Sequence, residues 1–503
     1  MLGLFGNNVD HPMADIRSTQ KLLDEVPKND PLKALLELTS WIESVTVEPD
    51  FRSDYQLSLL RLLHETARPH ERWLTQEYFA VTAPQKPLES RLCMALSQYY
   101  LQDSLACINV LRRYRNRDRG AAAMKADLPL VTTRGIGAVM GRLKYAAACY
   151  VPVEHTVWEQ LAEFYSAAES LRYLDDPVSM YAGENVNSSV RHEFATVLMW
   201  YAFCAGTASR LDFHLAQLLA AHLRACFTVD ADCGPDSVLD FDLLHPAPPI
   251  RISSARPRQS GLLFIGVEGL QESIDACIKS LENNLVPEEV NREGNYDAGL
   301  VRNVLRRLSV CWTLPQQARR NARHKVKVNI RVVKGFSSLM KNAGSGVDLV
   351  NDEEAVWKTD DISNNGFHTV LPPQGAEGLQ IGSIIGTQPE NIRHWGVGIV
   401  RRLMRDRQNK LHVGVELLSN RVHIVRLREL NSDIWVEGQT VLWLDPENPD
   451  EASLLMQPHT FFSGRSLQLR MDKRHFQLIP LVLLEMGKDY DFARYRKIEQ
   501  ETA

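Results

Sequence analysis

Near residue 313 the hydrophobic period of this chain changes, and the change divides it into two kinds of module. Before that point apolar residues recur every three or four positions, the period of an amphipathic helix. Asp30-Pro31 places a capping carboxylate before a proline at the first helical position, and Leu32, Leu35, Leu36, Thr39 and Ile42 follow on one face. Trp158, Leu161, Tyr165 and Ala168 repeat in the same way, as do Leu211, Leu215, Leu218 and Leu219, and Leu270, Ile274, Cys277, Ile278 and Leu281. Each stripe needs a neighbour to cover it. The pattern predicts an all-α module over residues 1–290, either a bundle or an irregular solenoid, with no fixed repeat period. Within it, residues 229–261 carry Pro235, Pro246, Pro248, Pro249 and Pro257, which predict a long loop or a small extended insertion. The acids there lack the glycine and glutamate spacing of a calcium loop. Leu300, Val301, Val304, Leu305, Leu308 and Trp312 predict a connecting helix over 291–312.

Beyond residue 313 the period becomes two. Val326, Val328, Ile330 and Val332 alternate with Lys325, Lys327, Asn329 and Arg331, as in a half-buried antiparallel strand. Arg319, Arg320 and Arg323 stand at its mouth. A guanidinium is a planar fork of donors that fits two phosphate oxygens or the O6/N7 edge of guanine, and it is always charged. Downstream, Asp361-Ile362-Ser363-Asn364-Asn365-Gly366 puts an acid, a hydroxyl and a glycine on a tight turn. The carboxylate can accept from guanine N1–H and N2–H, the hydroxyl can donate to phosphate, and a glycine permits positive φ. The bland alternatives are a solvated basic edge that discourages strand aggregation and a turn whose side chains satisfy local amides.

The RxxxR run from Arg319 to Arg323 followed by D-x-S-x-x-G from Asp361 to Gly366 resembles the PilZ domain, a small bacterial β-barrel that binds cyclic di-GMP. Gly382 and the strand from Leu411 to Leu417 extend the resemblance, which covers residues 313–420, about a fifth of the chain. It implies an antiparallel barrel and a cyclic di-GMP site at Arg319, Arg320, Arg323, Asp361, Ser363 and Gly366. One departure is the long gap between the motifs, where residues 335–355 read as a solvated hairpin loop or insertion. Residues 421–503 read as a further small β-region: Val422 to Val425, Ile434 to Val436, Thr440 to Leu444 and Ser466 to Arg470 form strands, and Trp435, Trp443, Phe461, Phe462 and Phe476 read as core.

Charge agrees with an anionic ligand. Residues 313–420 hold 15 Lys and Arg against 10 Asp and Glu, whereas the whole chain is −5. No acid lies between Leu314 and Val347. The eight cysteines are scattered without a C-x-x-C pair and read as buried thiols in a reducing compartment. With no basic leader and no apolar stretch of membrane-spanning length, a cytoplasmic location is expected. His64-Glu65 and His70-Glu71 miss the H-E-x-x-H spacing, so they read as exposed helix polar residues, and the glycines at 135, 137 and 141 miss the dinucleotide fingerprint and read as close helix packing. No catalytic constellation, metal site or cofactor is indicated.

The expectation is a multidomain α+β protein: a helical module, a PilZ-like barrel and a further β-region. It would be a non-enzymatic signalling effector that passes ligand binding to a helical protein-interaction module, with no membrane insertion. The alternatives are a ligand-free scaffold and a nucleic-acid binder using the basic strand.

Overall fold

The helical module begins where short polar side chains cap the helices. In the computed structural model, Asp15 accepts from the amides of Arg17 and Ser18 at the start of α1 (Ile16–Glu25), and Asp30 accepts from Lys33 N at the start of α2 (Pro31–Val47). The structure describes all residues except 1–8, 81–84, 182–186, 204–207, 253–258, 293, 314–325, 345–354, 364, 373–374, 376–377, 407, 430–438, 445–447, 449, 472–473, 488 and 501–503. The chain forms two compact units, residues 1–205 with 210–317, and residues 206–209 with 318–503. Among the described residues no helix is long and apolar enough to cross a membrane.

In the first unit α1 and α2 are followed by α3 (Ser53–Tyr78), α4 (Lys86–Arg115), α5 (Leu128–Ala148), α6 (His155–Leu171), α7 (Val190–Phe203) and α8 (Arg210–His222), with a two-stranded ribbon, β1 (Val178–Ser179) and β2 (Asn187–Ser188), before α7. Along α2 the buried stripe is Ala34, Leu35, Leu38, Thr39 and Ile42, and Leu36 faces solvent. The glycines of α5 serve close packing: a Cβ on Gly135 would lie 2.4 Å from the Phe164 ring of α6, and one on Gly141 would lie 2.3 Å from the Tyr100 ring of α4.

Two expectations for this unit are corrected. His64 and Glu71 are buried rather than exposed: His64 Nδ1 lies 3.2 Å from Asp103 Oδ1, and Glu71 accepts from Arg68, Thr75 and Tyr100. A buried charge persists only with such partners, which the local sequence did not reveal because they come from other turns and helices. Cys93 of α4 and Cys149 after α5 are joined in a disulfide, a pairing across 56 residues that no short spacing signals. Residues 229–261, read as a long loop or a small extended insertion, take the second form: β3 (Phe227–Asp230), β4 (Ser237–Asp242) and β5 (Ile250–Arg251), with β6 (Leu262–Val267) just after them, pair antiparallel in the order β3-β6-β4-β5. Pro235, Pro246, Pro248 and Pro249 fall outside these short strands, so they break helix without preventing sheet. After α9 (Leu270–Glu282) and α10 (Glu288–Asn291), α11 (Ala298–Thr313) buries the expected Val301, Val304, Leu305, Leu308 and Trp312. Trp312 Nε1 donates to Met199 O at 2.9 Å, so this helix belongs to the helical core instead of standing apart as a connector.

The second unit is two closed six-stranded antiparallel barrels. The first comprises β7 (Asn329–Lys334), β8 (Ala355–Ser363), β9 (Gly366–Leu371), β10 (Ile384–Pro389), β11 (Gly396–Arg405) and β12 (Leu411–Ser419). The second comprises β13 (Val422–Glu429), β14 (Gln439–Leu444), β15 (Glu451–Met456), β16 (Leu467–Met471), β17 (Arg474–Met486) and β18 (Asp491–Gln500). Around the first the order is β7-β8-β9-β12-β11-β10, and around the second β13-β14-β15-β18-β17-β16, the same topology in the same chain direction. The further β-region is thus a complete second barrel. Residues 434–436 lie outside the described residues, and Trp443 and Phe476 are core, whereas Phe462 is exposed.

Part of the segment read as a solvated loop is a helix, α12 (Phe336–Gly344). Phe336 and Leu339 enter an apolar cluster with Val333, Ile384, Val397 and Ile399 of the first barrel and Val422, Leu442, Leu444, Leu455 and Tyr490 of the second. The helix was hidden because its serines and glycines read as turn residues. Above this shared core Arg401 of β11 donates to Glu416 of β12 at 2.7 Å and in a fork to Glu485 of β17 at 2.7 and 2.6 Å, while Tyr490 also donates to Glu485. Burial alone would lower the Arg401 pKa; the two carboxylates outweigh it and raise the pKa, so the cation is held fixed.

Leu339 is fully buried in a cluster drawn from both barrels, so Leu339→Ala is expected to cost about 2–5 kcal/mol. Amide hydrogen exchange measured across residues 329–500 should then accelerate in both barrels together; acceleration confined to one would show that the core is not shared.

Candidate ligand-binding site

The second motif occupies the β8–β9 hairpin. Thr359 pairs with Thr369, Asp361 with His368, Ile362 with Phe367 and Ser363 with Gly366, leaving Asn364-Asn365 as a two-residue connection. Asp360 is the extra residue of a bulge between Thr359 and Asp361, which re-aims the strand immediately before the motif acid. Asp361 and Ser363 are half-buried and Gly366 is buried.

Gly366 does not adopt positive φ, contrary to the expectation. Its role is close approach: a Cβ there would stand 2.1 Å from Val415 O of β12. The hairpin is further tied to β12 by Leu417 N donating to Asn365 O at 2.9 Å. Ser363 Oγ donates to Gly366 O at 3.1 Å, so its proton is committed to the hairpin, the role that the local-turn reading gave it. Gly382 does take positive φ, 83°, and its amide donates to Val400 O at 2.8 Å.

Arg319, Arg320 and Arg323 lie outside the described residues. The described chain resumes at Val326, and there it is anchored to β8 through one side chain that the sequence did not single out. Thr359, fully buried, donates from Oγ1 to Val326 O at 3.0 Å and accepts from Val328 N at 3.0 Å, and Thr359 N donates to Val328 O at 3.0 Å. The strand that follows the arginines is therefore bound to β8 two residues before Asp361. A threonine in a β-branched run carries no signal of this role.

The second barrel repeats the topology without the chemistry. At its equivalent hairpin, between β14 and β15, the sequence is Asp445-Pro446-Glu447-Asn448-Pro449-Asp450, and only Arg421 precedes its first strand. It has neither the arginine run nor the acid-hydroxyl-glycine turn.

Residues 17–232, a little over two-fifths of the chain, match the family model described as the N-terminal domain of the cyclic-di-GMP receptor FimW. The matched stretch runs from α1 to the loop after β3. Comparison with curated proteins and with solved structures gives no match.

Two substitutions test the hairpin's construction. Gly366→Ala forces a carbonyl aside, and Thr359→Val leaves Val326 O and Val328 N without the hydroxyl; each is expected to cost about 1–3 kcal/mol. Urea denaturation of the full chain reads both, and a wild-type midpoint for Gly366→Ala would show that β12 yields freely.

Proposed function

We propose that this protein is a cyclic-di-GMP-binding signalling effector of PilZ type, in which Arg319, Arg320 and Arg323 hold the phosphates and a guanine edge and Asp361 reads the opposite edge of the base. The observation that carries the reading is the anchoring of the post-arginine strand beside the motif acid, through Thr359. Three residues span at most about 11 Å, so the tether from Val326 back to Arg323 is short, which supports the reading. A second support is independent of the barrel: the match over residues 17–232 is to a domain of a cyclic-di-GMP receptor.

The division of labour follows from the chemistry. The guanidinium groups attract a dianion into a stretch of chain without acids, and the attraction weakens as salt rises. Asp361 supplies discrimination, because only a base with adjacent N1–H and N2–H donors matches a carboxylate. Ser363 would exchange its bond to Gly366 O for one to phosphate, and Gly366 keeps the hairpin flat against β12. The helical unit then serves as the output module, presenting a surface to a protein partner when ligand is bound.

Isothermal titration of the full chain with cyclic di-GMP tests this. A charge-assisted bond contributes about 1.5–3 kcal/mol, so Arg323→Ala should weaken binding roughly ten- to a hundredfold. Asp361→Ala should erase the preference for the guanine over the adenine dinucleotide while leaving residual, salt-sensitive binding. Absence of heat with any guanine dinucleotide would favour the ligand-free scaffold. Equal affinity for single-stranded RNA with a steep salt slope would favour the nucleic-acid binder.

A further inference from the structure

We propose that His368 and His412 form a bidentate site for a divalent transition-metal ion such as Zn²⁺ on the outer face of the first barrel, with water completing the coordination. Along β9 the buried residues are Phe367, Thr369 and Leu371, and along β12 they are Leu411, Val413 and Val415, so His368 and His412 both point outward. In register His368 faces Gly414 and His412 faces Val370. Because Gly414 has no side chain, the His412 ring can lean along the diagonal onto His368, a reach that a long side chain spans.

The resulting geometry is that of a chelate. His412 Nδ1 and His368 Nε2 are 3.3 Å apart, with ring centroids at 5.3 Å and planes inclined at 30°. Two imidazole nitrogens bound to one tetrahedral zinc at about 2.0–2.1 Å stand about 3.3–3.4 Å apart. Each ring also has a carboxylate at its other nitrogen: Asp406 Oδ2 lies 3.4 Å from His412 Nε2, and Asp360 Oδ2 lies 3.6 Å from His368 Nδ1. A carboxylate behind a ligating histidine sets its tautomer and raises its basicity, and two carboxylates offset the charge of the ion. Asp406 is itself held by the amides of Gln408 and Lys410, at 2.8 and 2.9 Å. Among the described residues no group of three or more metal-ligating side chains converges, so the protein supplies two ligands here. Imidazole nitrogen suits zinc, nickel and copper and disfavours magnesium and calcium.

The test is titration of the full chain with zinc chloride by calorimetry in the absence of any nucleotide, so its outcome does not depend on the ligand assignment above. Wild type should show one equivalent that magnesium does not compete away. His368→Ala and His412→Ala should each remove that equivalent. Asp406→Asn, which keeps both ligands, should weaken it about ten- to a hundredfold. Circular dichroism melts confirm that the variants fold; the substituted side chains are on the barrel's outside. The same stoichiometry and affinity in wild type and both histidine variants overturns the proposal, as does the lack of a zinc heat in wild type. In either case the pair is a hydrogen-bonded histidine couple only.

Discussion

The β8–β9 hairpin can carry a recognition motif because two backbones touch. Gly366 lies against Val415 O with no room for a methyl group, and that approach closes β9 onto β12 and completes the first barrel. Everything proposed for the motif rests on this contact. It fixes the register that opposes Asp361 to His368, it places the bulge at Asp360, and it leaves Thr359 facing inward, where it holds the strand that leads from the arginines. In a motif of this kind the glycine looks like a conformational device, yet here its function is steric, and the acid on the neighbouring strand depends on it.

How far the fold could be read from the sequence follows from how cleanly each element keeps its period. β7 alternates as far as Val332 and β12 as far as Glu416, and both were legible, as were the stripes of α2, α6 and α11. β17 was missed because bulges between Pro480 and Val482 and between Leu483 and Glu485 shift its alternation mid-strand. α12 was missed because it is short and rich in residues that also make turns, and β3 to β6 were left as either loop or extended insertion because prolines between strands also mark loops. Of the candidate site, the residue types of the turn were legible from spacing alone, but their supports were not. Thr359 meets Val326 from 33 residues away in the chain, His412 meets His368 from 44, and Val415 meets Gly366 from further still, the last two between neighbouring strands. No local pattern encodes such distances.

The two modules divide the physical work. Helices of the first unit bury polar networks, such as Glu71 with Arg68, Thr75 and Tyr100, that are costly unless complete and so favour a single packing. The barrels instead close on themselves and leave no long free edge, which lets a charged arm and an acidic hairpin coexist without inviting strand-to-strand association.

The repeated strand order has a consequence for how the C-terminal half can be handled and how it could have arisen. Two barrels of one topology in tandem are the expected product of duplication, after which one copy retains a motif and the other is released from it. Yet the released copy has not become dispensable. A fragment ending at residue 420 would strip α12 and the faces of Val333, Ile384 and Val397 of their cover and turn an interior into an adhesive surface. The inheritable unit of this half is therefore the pair, and a boundary drawn by motif alone would cut through its centre.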